Sequence, residues 1–467
     1  MRAKQGLLGA CAVALMLGTT APAFADTTAD LLLRLKEKGI LTDEEYNALL
    51  HRRAEETAAA PNVATPGAAP QTAAAGALDD KSVVRMGKNG GMEFGGVNLK
   101  VSGSVNGFYT HDSGQRPSAT TTVAGGVATV GSQNTSSIRN GLLPGFIKFD
   151  LTTTQLGIDV GAHFGLYPGI NSVNPVSFNA NSAGQPTALT TSGIDARQTY
   201  LTFGTRKFGE IKIGRDIGLF GSEGILNDIT LLGVGTDSGN AAPSNTSLGR
   251  IGVGYIYTDF QPQITYSSPK FGGLQVTAGV FQPLSTIGRT EVNSTPGFQA
   301  KLTYDMTQGK FSARAWLSGL TQKHDITAGL PAYTGNAFDA GAKLGFGPFG
   351  LVGYYYNGNG VGTTALFLLS TDANGNKRKS DGFYLQGTAG FGKVTLGASY
   401  GESNLSLTPG ESNPTLLSSN SSYVGQIRYS LTPWVTLLSE YTHTKSKAHG
   451  GNQASSDAVA TGAILFF

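Results

Sequence analysis

The stretch that decides the fold is Val97-Asn-Leu-Lys-Val-Ser-Gly-Ser-Val-Asn-Gly-Phe-Tyr109. Its odd positions are mainly apolar, and its even positions are mostly Asn, Lys and Ser. Because successive side chains of a β-strand point to opposite faces, this period of two predicts a strand with one apolar and one polar face. The same alternation returns at 147–151, 298–305 and 423–429.

Sixteen segments of this kind can be read from residue 95 onward. They lie at about 95–109, 144–153, 155–166, 195–204, 209–216, 249–268, 273–282, 296–306, 310–320, 337–346, 349–357, 381–391, 393–402, 421–430, 434–444 and 457–467. Their connections alternate between tight turns and loops of a dozen residues or more. An even strand count with this alternation predicts an all-β fold, an antiparallel 16-stranded transmembrane barrel. Pro262 lies inside the unusually long segment 249–268. Whether this segment is one strand or is divided into two at Pro262 stays open.

Composition narrows the class of protein. Only 14% of the residues are charged, 66 are Gly, and hydrophobic residues make up 39%. This mixture fits a barrel that is apolar outside and polar inside, but also a soluble β-sandwich or a Gly-rich secreted repeat protein.

The N-terminus predicts export. Arg2 and Lys4 precede an apolar run, and Ala21-Pro-Ala-Phe-Ala25 ends in a small-x-small pattern, so residues 1–25 are expected to be a signal peptide. Cys11 is the only cysteine, which excludes disulfides, thiolate metal sites and a Cys nucleophile from the mature chain. Removal of Arg2 and Lys4 takes the formal charge from +3 to +1, too small a balance to predict nucleic-acid binding. No later apolar run approaches the ~20 residues of a membrane helix.

The segments after the signal peptide differ from the barrel. Residues 26–56 have helical periodicity, with Gly39 as a stop and Thr42 with Glu45 as a capping box, and predict a periplasmic helical hairpin. It resembles short oligomerising hairpins, so it could contact other subunits or the cell wall, or be only a spacer. Residues 57–91 are expected to be an Ala/Pro-rich linker and lead-in, and 92–467 the barrel.

The last residues carry a further signal. Val459, Thr461, Ala463, Leu465 and Phe467 occupy alternate positions and end in an aromatic. The pattern resembles the C-terminal strand that the outer-membrane assembly machinery recognises. Leu465 and Phe467 are therefore the candidate assembly signal.

Two stretches resemble a known family. Residues 197–216, Arg-Gln-Thr-Tyr-Leu-Thr-Phe-Gly-Thr-Arg-Lys-Phe-Gly-Glu-Ile-Lys-Ile-Gly-Arg-Asp, are similar to the fourth and fifth strands of Gram-negative general diffusion porins. Ser267-Ser-Pro-Lys-Phe-Gly-Gly-Leu274 resembles a turn of the same family. The resemblance implies a homotrimer in the outer membrane, with a third loop folded into each barrel and its acids facing arginines across the pore.

Transferred by position, that resemblance predicts a pore constriction. Arg197 matches a wall arginine, and Arg250 is expected to face the lumen from the start of the strand 249–268. Glu223 and Asp228, in the third loop at about 217–248, are the acids expected to face them. Pro144 stands where the family has a third arginine, so this chain has fewer arginines lining the constriction than the family.

Strand parity adds other predictions. Lys148, Lys301, Arg314 and Arg428 are expected to line the lumen, and Arg215 to point outward. The family's arginine at the position of Arg215 implies a contact between subunits, while a snorkelling interfacial arginine is the alternative.

The sequence therefore predicts an outer-membrane porin, a water-filled channel for passive diffusion of small polar solutes and ions, without cofactor or metal. A channel selective for an anion, phosphate or sugar is the alternative. A barrel enzyme and a cell-wall tether are remoter ones, because the six histidines form no local catalytic motif.

Overall fold

A computed structural model describes residues 85–86, 91–129, 134–170, 193–237, 246–327 and 329–467. The predicted signal peptide 1–25, the hairpin 26–56 and nearly all of the linker lie outside the described residues. Within these ranges the fold is one antiparallel sheet. Its strands are β1 (Arg85–Met86), β2 (Met92–Phe94), β3 (Val97–Asp112), β4 (Thr135–Arg139), β5 (Phe146–Gln155), β6 (Ile158–Pro168), β7 (Ile194–Thr205), β8 (Gly209–Ile217), β9 (Phe260–Ser267), β10 (Leu274–Phe281), β11 (Gly297–Gln308), β12 (Phe311–His324), β13 (Tyr333–Phe346), β14 (Phe349–Asn359), β15 (Lys379–Phe391), β16 (Val394–Leu405), β17 (Leu417–Ser430), β18 (Val435–Ala448) and β19 (Gln453–Phe466).

The sheet closes on itself. β19 pairs with β3 from Ala458 opposite Asp112 to Phe466 opposite Ser104. One half of β3 also pairs with β5 and the other half with the short β4, so β4 and β5 together fill one position of the wall. With β3 and the strands from β6 to β19, this gives sixteen positions, and the predicted 16-stranded antiparallel barrel is confirmed. The hairpin of β1 and β2 pairs with the start of β3.

Side-chain exposure follows the predicted period of two. On β3, Val101, Val105 and Tyr109 are exposed on the outer face, whereas Ser104 and Thr110 are buried inside the barrel. The same alternation of large apolar residues outside and polar residues inside continues around the sheet, as the exposed Leu317 and the buried Ser318 illustrate. No helix within the described ranges is both long enough and apolar enough to cross a membrane.

The predicted strand 249–268 is wrong in its first half. β9 begins only at Phe260, and it is a single strand in which Pro262 lies opposite Arg215. Before it, Gly249, Gly252 and Gly254 have φ values of +56°, +78° and +110°. Such left-handed glycines turn the chain at every second or third residue, so the alternating apolar residues there belong to a series of turns.

The connection between β8 and β9, residues 218–259, is therefore longer than the predicted third loop and is called L3. It contains a short helix, α1 (Ser222–Leu226), and a 3₁₀ turn (Ile229–Leu232). The described residues of L3, 218–237 and 246–259, lie inside the barrel, where they pack in an apolar cluster against the inner wall. The cluster includes Phe220, Ile225, Tyr255 and Ile256 of the loop and Trp316, Tyr354 and Tyr384 of the wall.

Candidate functional site

Wall side chains hold L3 along one side of the barrel. Each of four polar residues on the inner wall accepts hydrogen bonds from backbone N–H groups of the loop, with donor–acceptor distances between 2.5 and 3.2 Å. Gln299 accepts from Leu219 and Phe220, Asp339 from Gly221, Gln386 from Ile229, and Glu440 from Val234 and Gly235. Because buried N–H groups need partners, these bonds fix the path of the loop across the wall from β11 to β18.

Glu223 of α1 lies between two cations of the wall. Its Oε1 is 2.7 Å from Arg314 Nη2 and 3.2 Å from Lys301 Nζ, and its Oε2 is 3.0 Å from Arg314 Nε. Burial raises the pKa of Glu223, but the hydrogen bonds and charges of Arg314 and Lys301 outweigh it and hold the pKa at about 2. Glu223 forms no ion pair with Arg197 or Arg250, the two arginines that it is predicted to face.

Asp228 is buried within L3 and stabilises the loop itself. Its carboxylate accepts hydrogen bonds from the N–H and hydroxyl of Thr230, at 3.0 and 2.6 Å, and from the hydroxyl of Tyr255 at 2.9 Å. Burial raises its pKa, while the charge of Arg250 opposes that shift. Asp228 is therefore close enough to Arg250 for the two charges to interact within L3, although no ion pair joins them in the described residues.

Arg250 is a loop residue, which corrects its predicted place on a strand. Its side chain is fully buried, and its guanidinium lies 5.8 Å from the ring centroid of Tyr384. Within the described residues none of its three guanidinium nitrogens has a hydrogen-bond partner. Burial lowers its pKa, with the charge of Asp228 opposing that effect. A Cβ at Gly401 would clash with Nη2, so the glycine leaves room for the guanidinium.

Arg197 lies at an irregularity where β7 passes β6. Its Nε and Nη2 are 2.8 and 2.7 Å from Asp195 Oδ2, and its guanidinium stacks on the rings of Tyr167 and Phe260 at 4.9 and 5.3 Å. Neither Glu223 nor Asp228 is its partner. In the described residues Arg197 thus forms no ion pair with either predicted acid, and the constriction of Arg197, Arg250, Glu223 and Asp228 stays a prediction.

The predicted lumen cations occupy the inner face by register. Lys148 lies opposite Ser102, Lys301 opposite Ser318, and Arg428 opposite Thr395. Arg314 lies opposite Lys343 of β13, a further cation that the sequence reading missed. The signal was present, because Phe338 to Leu344 alternate and leave Lys343 on the polar face.

These cations differ in their partners. Lys301 and Arg314 share Glu223, and Arg314 Nη1 is also 2.8 Å from Asp305 Oδ1. In the part of the chain that is described, Lys148, Lys343 and Arg428 form no ion pair. On the facing wall, from β5 to β8, His163 lies 2.6 Å from Asp150 and Lys212 contacts Asp216, while Glu210 forms no ion pair in the described chain. Within the described chain, Lys343 and Arg428 are therefore cations without an ion pair on the wall that carries α1, which also bears the carboxylates of Asp339 and Glu440.

Three further predicted residues, Arg215, Leu465 and Phe467, have simpler surroundings. Arg215 is exposed on the outer face of β8, next to Ile213 in parity, and donates to Phe260 O at 2.5 Å. Leu465 lies near the end of β19, and Phe467 exchanges two backbone hydrogen bonds of 3.0 Å with Gly103. Their roles in subunit contact and assembly stay predictions. Within the described ranges no group of three or more His, Cys, Asp or Glu could hold a metal ion.

The sequence model of the Gram-negative porin family matches residues 57–449. The chain belongs to this family. A search of the curated proteins found no match. As a porin, the chain lies in the bacterial outer membrane and forms a channel through which small solutes diffuse. Its short turns then face the periplasm and its long loops the exterior.

Solved structures agree with the porin fold. The outer membrane channel DcaP of Acinetobacter baumannii superposes with a TM-score of 0.61 at 16% identity, over 80% of this chain and 98% of that one. The anion-selective porin from Comamonas acidovorans superposes with a TM-score of 0.55 at 14% identity, over 79% of this chain and 100% of that one. OmpF of Salmonella typhi, in complex with daunomycin, superposes with a TM-score of 0.51 at 12% identity, over 80% of this chain and 98% of that one. At these identities the likeness concerns the fold alone.

Proposed function

We propose that solutes pass through this porin beside α1, and that small anions pass more readily than cations. The observation that carries the proposal is the state of the charges on the wall from β11 to β17. Glu223 is shared by Lys301 and Arg314, while Lys343 and Arg428 have no carboxylate partner in the described chain. The constriction would then consist of Glu223, Lys301, Arg314 and Lys343, with Arg428 nearby, while Arg197, Asp228 and Arg250 support L3 and its surroundings.

Electrostatics gives the direction of the effect. Permeating ions keep much of their water in a wide pore, so selectivity comes from the sign of the wall charges instead of from a tight ligand cage. One unit charge at 4 Å in water is worth about 1 kcal/mol, which corresponds to a roughly five-fold ratio. Two unpaired cations are sufficient for a weak preference and insufficient for strict selection.

The test is the reversal potential of single channels in a KCl gradient. We expect the wild type to prefer chloride, and Lys343→Gln with Arg428→Gln to lower the chloride-to-potassium permeability ratio by roughly five-fold per unscreened charge at most. The matched control is Lys445→Gln, because Lys445 lies on the outer face of β18, opposite Ser421 and Ser455. A wild type that prefers potassium, or a double variant with unchanged selectivity, contradicts the proposal.

We also infer that the barrel assembles as a homotrimer through the face that carries Arg215. The family resemblance supports the trimer, and the exposed Arg215 beside the exposed Ile213 supports this face. A charged side chain held by a backbone carbonyl can pair with a neighbouring subunit while its stem covers apolar surface. Contacts with the assembly machinery through Leu465 and Phe467 belong to the same proposal.

Native mass spectrometry of the detergent-solubilised protein tests the trimer. We expect three copies for the wild type, and for Arg215→Glu a lower temperature of dissociation into folded monomers. Lys445→Glu, a charge reversal on another outer face, should leave that temperature unchanged. A wild type that is monomeric at all detergent concentrations would refute the inference.

A further inference from the structure

L3 presents an apolar surface to the lumen at the end of α1. Leu226, the last residue of α1, is 49% exposed, whereas the four residues before it are all buried. It is the only exposed large apolar residue in the described part of L3. Leu231 and Leu232 follow in the next turn and are half-buried. Because these residues lie inside the barrel, their exposed surface faces the aqueous lumen.

Leu226 lies beside the cations of the wall. It follows Glu223 by three residues, and side chains at this spacing are neighbours on one side of a helix. The next residue, Asn227, donates to Glu223 Oε2 at 3.2 Å, so the carboxylate lies towards this end of α1. The same carboxylate binds Arg314, whose neighbour in register on β13 is Lys343. An apolar side chain and an ammonium without an ion pair in the described chain therefore border the same part of the lumen.

The carboxylates of L3 around this point are already bonded. Glu223 is held by the wall cations, and Asp228 accepts from hydroxyls of its own loop. Asp237 is buried, and its Oδ1 is 3.4 Å from Arg139 Nη1. Residues 238–245 contain no charged residue. A solute with an apolar part therefore does not have to strip water from free carboxylates in this part of L3, a step that would cost free energy.

We propose that the channel favours small carboxylates with a hydrocarbon part over equally charged hydrophilic anions. The inference rests on the proposed anion preference and adds the substrate class to it. The carboxylate of the solute lies at Lys343 while its hydrocarbon part passes over Leu226, so that both apolar surfaces leave water. Contact over about 40 Å² of apolar surface corresponds to a roughly five-fold effect. A contact of this size favours entry into the constriction and still allows release.

The test compares hexanoate with gluconate, two six-carbon monocarboxylates of which only gluconate carries hydroxyls along its chain. The full-length porin is placed in a planar bilayer at pH 7 with the potassium salt of one anion on each side. Because potassium is equal on both sides, the reversal potential reports the permeability ratio of the two anions. We expect the wild type to prefer hexanoate. Leu226→Asn replaces apolar surface by an amide of similar size and should lower the hexanoate-to-gluconate ratio roughly five-fold.

Two further variants serve as controls. Leu226→Met keeps an apolar side chain at the site and should retain the wild-type ratio. Ile287→Asn is the matched control, because Ile287 is 53% exposed in the loop between β10 and β11 and lies outside L3. None of the three variants changes a charge, so each should keep the chloride-to-potassium ratio of the wild type. Heat-modifiable migration on gels confirms that each variant is folded.

The outcomes separate this inference from the proposed function. If the wild type prefers chloride but folded Leu226→Asn keeps the wild-type hexanoate-to-gluconate ratio, the inference is overturned and the anion preference stands. A wild type that prefers gluconate to hexanoate overturns the inference as well. If the wild type prefers potassium to chloride and the ratio still falls in Leu226→Asn, the anion preference is wrong and the role of Leu226 is supported.

Discussion

Glu223 illustrates how a single residue in the loop sets the charge of the pore wall. Its carboxylate is shared by Arg314 and Lys301, which lie on the neighbouring strands β12 and β11. A carboxylate held by two cations stays ionised well below its usual range. The acid therefore cancels charge on its own wall and contributes little to a field across the lumen.

The first prediction concerns this carboxylate. Glu223→Gln should raise the chloride-to-potassium permeability ratio, by roughly up to five-fold, because Lys301 and Arg314 lose their shared anion. The pKa of about 2 means that the charge is present above that pH and is lost only as pH falls through it. Reversal potentials of wild type and variant should therefore differ by a constant amount between pH 7 and about pH 4.

Asp325→Asn is the control for Glu223→Gln, because Asp325 pairs with the exposed Lys323 at the end of β12, away from L3. Its selectivity should match the wild type. If the wild type and Glu223→Gln already converge between pH 7 and about pH 4, the two cations do not hold the carboxylate ionised.

At the scale of elements, L3 is held by side chains of the wall more than by its own secondary structure. α1 has only five residues, too few to be stable alone. The hydrogen bonds that loop N–H groups donate to Gln299, Asp339, Gln386 and Glu440 stabilise L3 where the short helix and turns cannot. Glu440 holds the far part of the loop, where it accepts from two consecutive amides.

The second prediction follows from Glu440. Glu440→Ala leaves the N–H groups of Val234 and Gly235 without their acceptor, at a cost of about 1–3 kcal/mol for each buried group. Glu440→Gln keeps one oxygen and should be milder. In urea unfolding we expect Glu440→Ala to be the least stable and the wild type the most stable, with Glu440→Gln between them. Fluctuations of the single-channel current should be most frequent in Glu440→Ala and least frequent in the wild type.

Glu402→Gln is a suitable comparison, since Glu402 binds the hydroxyl of Tyr400 and does not touch L3. If Glu440→Ala shows no more current fluctuations than the wild type and the same stability in urea, Glu440 has no role in holding the loop.

The strand elements could mostly be predicted, and the exception has a clear cause. Alternation at Val97–Tyr109 depends only on the pleat of the backbone, so sequence is sufficient. At 249–259 the same alternation predicted a strand that is absent, because left-handed glycines make the chain turn there. A period of two in a Gly-rich stretch therefore does not distinguish a strand from a series of turns.

For the whole molecule, closure of the barrel is the main constraint. The last strand pairs with β3 along nine registered positions, so the sheet has no free edge there. Every wall strand has two neighbours without any help from residues before β1. The barrel should therefore be complete without the N-terminal arm.

The third prediction is that deletion of residues 26–84 leaves a folded channel. We expect the same heat-modifiable mobility and single-channel conductance as the wild type, because closure and L3 involve only later residues. Deletion of 454–467, which removes most of β19, is the contrasting variant and should abolish folding. A shortened protein that folds but does not conduct would mean that the arm contributes to the pore.

The sequence alone determined the number of strands and, outside 249–259, the face on which the strand side chains lie, while the resemblance to porins implied which loop enters the barrel. These features are local, because they follow from the pleat and from turn residues. Only the tertiary structure decided which charges meet. Glu223 and Arg314 are 91 residues apart, and Val234 and Glu440 are 206 apart. Such contacts depend on the path of L3 across a closed sheet, which no local pattern encodes.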